Sequence, residues 1–369
     1  MRIGVDARMI SMGGIGTYLR SLLGGLNRRD DDVEYVVFLQ ERDMDSCARL
    51  GSSFRRVVCT ASPYSLAEQA RLPRLLGRER LDLIHHPHYF TPFFGKTPMV
   101  ATIHDLIHQL FPALCPSPLH WRASEWMLAK TARRARLILA VSEHTKRDII
   151  EHVGVPDEKI RVTHNALPPD WEDVCTPRPE ALERLGNAPY FLYVGNHKRH
   201  KNLHLLLEAF AELLTEADGV RLVMTGERKS LDSVLRFLGL GKEVVFLGQL
   251  PQKTLPGVYR PALALVFPSH YEGFGYPPLE AMACGVPPIV SDAASLPEVV
   301  GDAGLIVPRG DKNALRNAML RVLREPNLRD DLAEKSKERA RCFHWEKLAA
   351  ETMRAYHDAL LCSPDRISA

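Results

Sequence analysis

Long apolar runs are missing from this 369-residue sequence, in which no stretch approaches the roughly 18 to 20 residues that cross a bilayer as a helix. The opening Met1–Ile10 passes straight into a strand-like pattern and lacks the apolar core of a signal peptide. An integral membrane protein and a secreted one are therefore not expected, and a cytoplasmic chain is. Paired cysteines are missing too. The seven cysteines, Cys47, Cys59, Cys115, Cys175, Cys284, Cys342 and Cys362, form no C-x-x-C pair and no ligand-like spacing, which fits a reducing compartment and argues against structural zinc. A large charge of one sign is also lacking, because the net charge is only +3, so nucleic acid is not expected as a partner. The Asp-x-Asp string Asp30-Asp31-Asp32 reads as a surface turn, and no metal is expected.

What is present is ordinary globular composition, 45% hydrophobic and 25% charged, with enough length for two domains. Basic residues gather in two places. Arg55, Arg56, Arg71, Arg74 and Arg78 lie between Arg49 and Arg80, and a second set lies between Trp121 and Arg147. In the second, Arg122, Lys130, Arg133 and Arg134 interleave with Trp126, Met127 and Leu128. Such a stretch is either a solvated helix face whose apolar stripe enters the core, or a basic aromatic face that meets anionic lipid headgroups or an acidic acceptor.

Short β-branched runs alternate with helical patterns, as in a parallel sheet with crossover helices. A first series of strands is predicted at Arg2–Asp6, Glu34–Leu39, Arg56–Cys59, Leu83–His86, Met99–Ile103, Leu137–Val141 and Ile160–Thr163, with helices at Thr17–Leu26, Leu119–Ala132 and His144–Glu151. The proline-rich Asn165–Ala188 reads as a linker, with a short helix at Pro179–Leu185. A second series follows at Tyr190–Val194, Arg221–Thr225, Val244–Leu247, Leu263–Phe267 and Pro288–Ser291, with a helix at Leu203–Leu214 and consecutive helices from about Asn313 to Leu361. Two doubly wound α/β domains follow, and their ligands belong beyond the carboxyl ends of the strands.

Four loops at such ends carry candidate chemistry. Gly13-Gly14-Ile15-Gly16 opens a helix and can offer backbone N–H groups to an anion, but it departs from G-x-G-x-x-G and lacks the acidic ribose partner of a dehydrogenase. His104 and Asp105 end a strand. His85, His86 and His88 end the strand before it and are read as loop packing. Asn196, Arg199 and Lys201 lie in a basic loop before a helix, where a cation meets a phosphate, with Lys201 the first choice and Arg199 the second. In the fourth, Glu272-Gly273-Phe274-Gly275 precedes a proline-opened helix that carries Glu280 in its first turn. Glu272 suits neutral sugar hydroxyls while the Gly273–Gly275 amides take the charge, and Glu280 suits the two hydroxyls of a ribose.

The string Ser-x-x-Glu-Gly-Phe-Gly-x-Pro-x-x-Glu-Ala-x-Ala-x-Gly at Ser269–Gly285, followed by Ser295-Leu296-Pro297-Glu298, resembles glycosyltransferase family four. Gly14-Ile15-Gly16, His104-Asp105, Ser142-Glu143-His144-Thr145, Asn165 and Lys201-Asn202 fall in that family's order. The resemblance implies a GT-B fold: two facing Rossmann-like domains, an interdomain cleft and a C-terminal crossover helix. It implies residues 1–168 as an acceptor-binding domain, 169–344 as a nucleotide-sugar domain, and 345–369 as a helix returning to the first. Glu272, His104 and Lys201 are then catalytic. Gly14, Gly16, Asn196, Arg199, Lys201, Gly273, Phe274, Gly275 and Glu280 bind the donor, and Asp105 and Ser142 the acceptor. Where the family often has a second basic residue, this sequence has Asn196, and Ala166 follows Asn165 where a glycine is usual.

The implied activity is retaining, metal-independent and cofactor-free transfer of a hexose to a glycan or lipid-linked glycan in surface polysaccharide synthesis. Attack comes from the front face, and the leaving phosphate takes the acceptor proton. The pattern Thr102-Ile103-His104-Asp105 with Val194-Gly195-Asn196 resembles a mannosyltransferase-like branch and points to GDP-mannose, with UDP-hexoses as the alternative. Contact with the inner face of an anionic membrane would suit a lipid-linked acceptor. A nucleotide-sugar epimerase of the same fold and a non-catalytic scaffold subunit are the competing classes.

Overall fold

The computed structural model describes residues 1–171, 179–183 and 185–361. Cys175, Cys362 and Pro177 of the linker lie outside them. The chain divides into two compact units, Met1–Pro169 with Phe343–Ala369, and Asp170–Cys342.

In the first unit the chain runs β1 (Arg2–Asp6), α1 (Gly13–Asn27), β2 (Glu34–Leu39), β3 (Phe54–Val58), α2 (Leu66–Arg78), β4 (Leu83–His86) and β5 (Met99–Ile103). It continues through α3 (Ile107–Leu110), α4 (Pro118–Arg134), β6 (Leu137–Ala140), α5 (Glu143–Val153) and β7 (Ile160–Val162). All strand pairs are parallel, in the order β3-β2-β1-β4-β5-β6-β7. Residues of β1, β4 and β5 are buried on both sheet faces, as helices on both sides require. Local chemistry sets the helix starts: Ser142 accepts from Thr145 N at 3.0 Å to cap α5, and Ser117 caps α4 just before Pro118. At α2, Ser65 accepts from Glu68 N while Glu68 Oε2 accepts from Tyr64 N, a reciprocal cap.

The second unit contains α6 (Glu180–Glu183), β8 (Tyr190–Tyr193), α7 (Leu203–Leu214), β9 (Arg221–Met224), α8 (Asp232–Phe237), β10 (Val244–Phe246) and α9 (Leu255–Tyr259). Then come β11 (Ala264–Phe267), α10 (Tyr276–Ala283), β12 (Pro288–Ser291), α11 (Leu296–Val300), β13 (Leu305–Val307), α12 (Lys312–Arg324) and α13 (Pro326–Ala340). Its sheet is parallel in the order β10-β9-β8-β11-β12-β13. In each sheet the order reverses beside the first strand, between β1 and β4 and between β8 and β11, and a crevice beyond the strand ends opens at such a point.

The last helix, α14 (Trp345–Leu361), belongs to the first unit and packs on α1. Gly25 makes that approach close: a Cβ there would stand 2.8 Å from the Trp345 carbonyl oxygen. Tyr356 Oη of α14 reaches His85 Nδ1 at 2.7 Å, and Arg136 donates to the Ala359 carbonyl at 3.0 Å.

The structure corrects three local expectations. Helix α2 was not predicted, since Pro73 interrupts its pattern, and three-residue β13 is too short to leave one. His85 and His86 close β4 within its predicted bounds, and both are buried. Because α10 starts at Tyr276, Glu280 is in its second turn, not its first.

Candidate active site

In the second unit, the loop after β8 is fixed by its backbone. Gly195 N donates to Thr225 Oγ1 at 2.9 Å, Tyr193 Oη donates to the Asn196 carbonyl at 2.6 Å, and His197 Nε2 lies 2.8 Å from the Thr225 carbonyl. Asn196 and Arg199 remain exposed. Lys201 instead turns inward, 9% exposed, with Nζ 4.8 Å from the Phe267 ring centre and 2.6 Å from Glu272 Oε1. Asn202 follows in the left-handed region at φ +55°, which Asn tolerates better than most residues, and α7 begins at Leu203. A lysine beside a helix N-terminus adds positive charge where the dipole is already positive, so this corner favours an anion. The Glu272 carboxylate fills that role.

The loop after β11 is held from behind. Ser295 is fully buried, and its Oγ lies 2.8 and 2.9 Å from the carbonyls of Glu272 and Phe274, which share its one O–H. Gly275 sits at φ +109°, and a Cβ there would meet Leu296 Cδ2 at 2.9 Å. Pro277 and Pro278 carry no N–H, so the donors at the start of α10 come from the Gly273–Tyr276 backbone. One turn on, Glu280 is 5% exposed and its Oε2 accepts from Tyr259 Oη at 2.7 Å. The loop after β8 and the loop after β11 are joined by His270 N donating to the His200 carbonyl at 2.7 Å. Thus Lys201, Glu272, Gly273–Gly275 and Glu280 are held by adjoining elements. Ser295, Tyr259 and Thr225, which hold them, had no role in the sequence reading; Ser295 alone left a signal, as part of a quoted motif.

In the first unit, β5 delivers His104. Its Nε2 lies 2.9 Å from the Pro87 carbonyl, so Nε2 carries the proton and Nδ1 is the acceptor. Burial, against which the Pro87 hydrogen bond acts, pulls its pKa down to about 4 and keeps the ring neutral. The Tyr18 ring stands edge-on to His104 with centroids 5.1 Å apart, while Tyr18 Oη meets Thr102 Oγ1 at 2.9 Å. Thr102 in turn meets His85 Nε2 at 2.8 Å. Burial pulls the His85 pKa down to about 3. Asp105 Oδ1 accepts from Ile107 N at 3.0 Å, and Ser142 is buried and caps α5, so both have structural work in addition to any ligand. Gly14 is exposed in the first turn of α1, which no side chain caps. Gly16 is buried and its N–H goes to the Met12 carbonyl at 2.9 Å.

Beside these, Arg8 lies between two carboxylates. It donates to Asp6 Oδ1 and Oδ2 at 2.8 and 2.7 Å and contacts Glu68 Oε1. Burial would raise the Asp6 pKa, but Arg8 outweighs it and holds the carboxyl well below the usual range. No group of three or more His, Cys, Asp or Glu with metal-holding geometry occurs among the described residues. Among them, too, no helix is long and apolar enough to cross a membrane.

Two family models match in tandem: Glycosyltransferase Family 4 over residues 12–171 and Glycosyl transferases group 1 over 178–339. The chain is similar to O-antigen chain mannosyltransferase B of Escherichia coli, 32% identical over 88% of this chain and 87% of that protein. It is also similar to a D-inositol 3-phosphate glycosyltransferase of Acidothermus cellulolyticus, 28% identical over 94% and 86% of the two. Among solved structures, sucrose-phosphate synthase from Thermosynechococcus elongatus superposes with a TM-score of 0.79 at 22% identity, covering 98% of this chain and all of that one (100%). HepE of Anabaena, solved in complex with UDP-glucose, superposes at 0.77 and 19% identity over 97% and 99%. With two parallel-sheet Rossmann-like units, both family models and a relative above three-tenths identity along its length, the chain belongs to glycosyltransferase family 4 and is a glycosyltransferase of the GT-B fold.

Proposed function

We propose that this glycosyltransferase moves mannose from GDP-mannose to a glycan or lipid-linked glycan acceptor in surface polysaccharide synthesis, with retention at the anomeric carbon and without a metal. The observation that carries the reading is the Lys201 ammonium beside the N-terminus of α7, 2.6 Å from the Glu272 carboxylate. When the donor binds, its diphosphate takes the ammonium and the helix end, and Glu272 turns to the sugar hydroxyls. Gly273–Gly275 and Arg199 add donors to the leaving group, and Glu280, steadied by Tyr259, takes the ribose. The bond from the anomeric carbon to the diphosphate oxygen breaks, the acceptor oxygen bonds on the same face, and its proton passes to the leaving phosphate. Charge accumulates on the diphosphate, where Lys201 stabilises it. Neutral His104 offers Nδ1 as acceptor to a donor hydroxyl, and Gly14 offers a first-turn amide.

Mannose is supported by the similarity to the mannosyltransferase of Escherichia coli, and GDP by the resemblance of the Thr102–Asp105 and Val194–Asn196 pattern to a mannosyltransferase-like branch. Residues 1–168 serve the acceptor and 169–344 the donor. The protein works in the cytoplasm, in peripheral contact with an anionic membrane that presents the acceptor. The test is to incubate it with GDP-mannose and a membrane extract of lipid-linked glycans with EDTA present, and to read the anomeric couplings of the product by NMR. An α-mannoside formed in the chelator supports the proposal. A β-mannoside, activity only with added metal, or conversion of the donor alone to an epimer refutes it.

A further inference from the structure

The sequence left two readings for the basic aromatic stretch of α4, and side-chain burial separates its residues. Met127, Leu128, Thr131 and Ala132 enter the core of the first unit. Trp126 does not: it is 50% exposed, and Leu119, two turns earlier on the same face, is 77% exposed. Arg122 and Arg133 are exposed at helical spacings from Trp126, with Glu125 the exposed acid among them. The loop after β4 adds Phe94, 73% exposed, and Lys96.

Lys130 joins the two segments. Its Nζ lies 4.4 Å from the ring centre of Phe93, 4.8 Å from Trp126 and 5.4 Å from Phe94. The loop is anchored to its neighbours: Phe93 N donates to Gln69 Oε1 at 2.7 Å, Thr91 Oγ1 meets Thr131 Oγ1 at 2.8 Å, and Arg134 donates to the Gly95 carbonyl at 3.2 Å. The aromatic rings therefore project from a braced base, and Phe94 and Trp126 stay exposed although Lys130 sits against them.

We infer that this face, Phe94, Trp126 and Leu119 rimmed by Arg122, Lys130 and Arg133, docks on the headgroup layer of an anionic lipid bilayer. The inference rests on the reading of a membrane-presented acceptor and names the surface that meets the membrane. Rings that are apolar on one side and cationic at the rim match an interface that is apolar below and anionic above. An acidic soluble partner would satisfy the cations but leave Phe94 and Leu119 in water.

The test uses the full chain and sedimentation with vesicles of phosphatidylcholine alone or with roughly a third phosphatidylglycerol. Binding is expected to the anionic vesicles. It is expected to fall about tenfold or more in Phe94→Ser/Trp126→Ser, and about fivefold per charge in Lys130→Gln/Arg133→Gln at low salt. Quenching of wild-type tryptophan fluorescence by brominated lipid, absent in Trp126→Phe, reports insertion without a destabilising change. Wild-type protein that ignores anionic vesicles, or an aromatic double variant that binds them equally well, overturns the inference. Retention of nucleotide-induced thermal stabilisation in every variant separates such a failure from failure of the donor-site reading.

Discussion

Replacing Lys201 by Met is the sharpest perturbation of the donor corner. The Lys201 and Glu272 side chains are 11% and 14% exposed and 2.6 Å apart, so the pair is nearly, though not fully, desolvated. Removing one partner of a fully buried pair costs about 3–5 kcal/mol, mostly because the other charge is stranded. With some solvent contact left, about 2–3 kcal/mol is expected, or a Tm lowered by about 5–10 °C for the second unit, Asp170–Cys342, unfolding as a domain. Glu272→Gln should cost less, about 1 kcal/mol, because its amide oxygen still accepts from Lys201. The double variant should regain part of the loss, with a coupling of about 1–3 kcal/mol measured by calorimetry or denaturant titration. In the presence of nucleoside diphosphate the order changes: Lys201→Met loses the ligand-induced shift and Glu272→Gln keeps it. A Lys201→Met Tm within about 1 °C of wild type, or single changes that simply add, refutes the reasoning.

Further outcomes follow from the same geometry. Gly16→Ala should destabilise by about 1–3 kcal/mol, since the new Cβ would collide with the Ile10 backbone carbonyl, whereas exposed Gly14→Ala should leave the Tm nearly unchanged; thermal unfolding of the pair decides it. Ser295→Ala removes the buried donor shared by the Glu272 and Phe274 carbonyls and should cost about 1–3 kcal/mol together with a raised KM for donor, read by steady-state kinetics. His85 and His104 have folded pKa values of about 3 and about 4, below the unfolded value near 6.5. The unfolded chain therefore takes these protons first, and their contribution, full above that value, is lost as pH falls from about 6.5 toward 4. His85→Gln should flatten the decline of Tm across that window; an unchanged slope contradicts the assignment.

The regular parts of the fold were legible because buried parallel strands leave continuous β-branched runs. Arg2–Asp6, Glu34–Leu39, Leu83–His86, Met99–Ile103 and Pro288–Ser291 were read with the observed bounds. Helix α2 was not, since Pro73 breaks its pattern and its stability comes from the Ser65–Glu68 cap and the buried Glu68–Arg8 contact. Within the site, the loops at strand ends carried their own signal in glycine, proline and charge. Their supports did not: Ser295, Tyr259 and Thr225 act through contacts with residues distant in sequence, and no local spacing encodes such a contact. Gly16 was legible as a glycine, but the reason for it, the approach of the Ile10 carbonyl, is tertiary. The basic stretch of α4 was ambiguous in the sequence because Trp126, Met127 and Leu128 are equally apolar there, and only packing sends the last two inward and leaves the first outside.

The central claim is that Lys201, Glu272 and Glu280 form a nucleotide-sugar site that needs no metal. Thermal unfolding against GDP, UDP, ADP and dTDP, each alone and as its sugar conjugate, with and without EDTA, tests it most directly. The account predicts stabilisation by GDP and GDP-mannose that EDTA does not change and that Glu280→Ala abolishes. Stabilisation by none of these diphosphates, or one that disappears with the chelator, would contradict it.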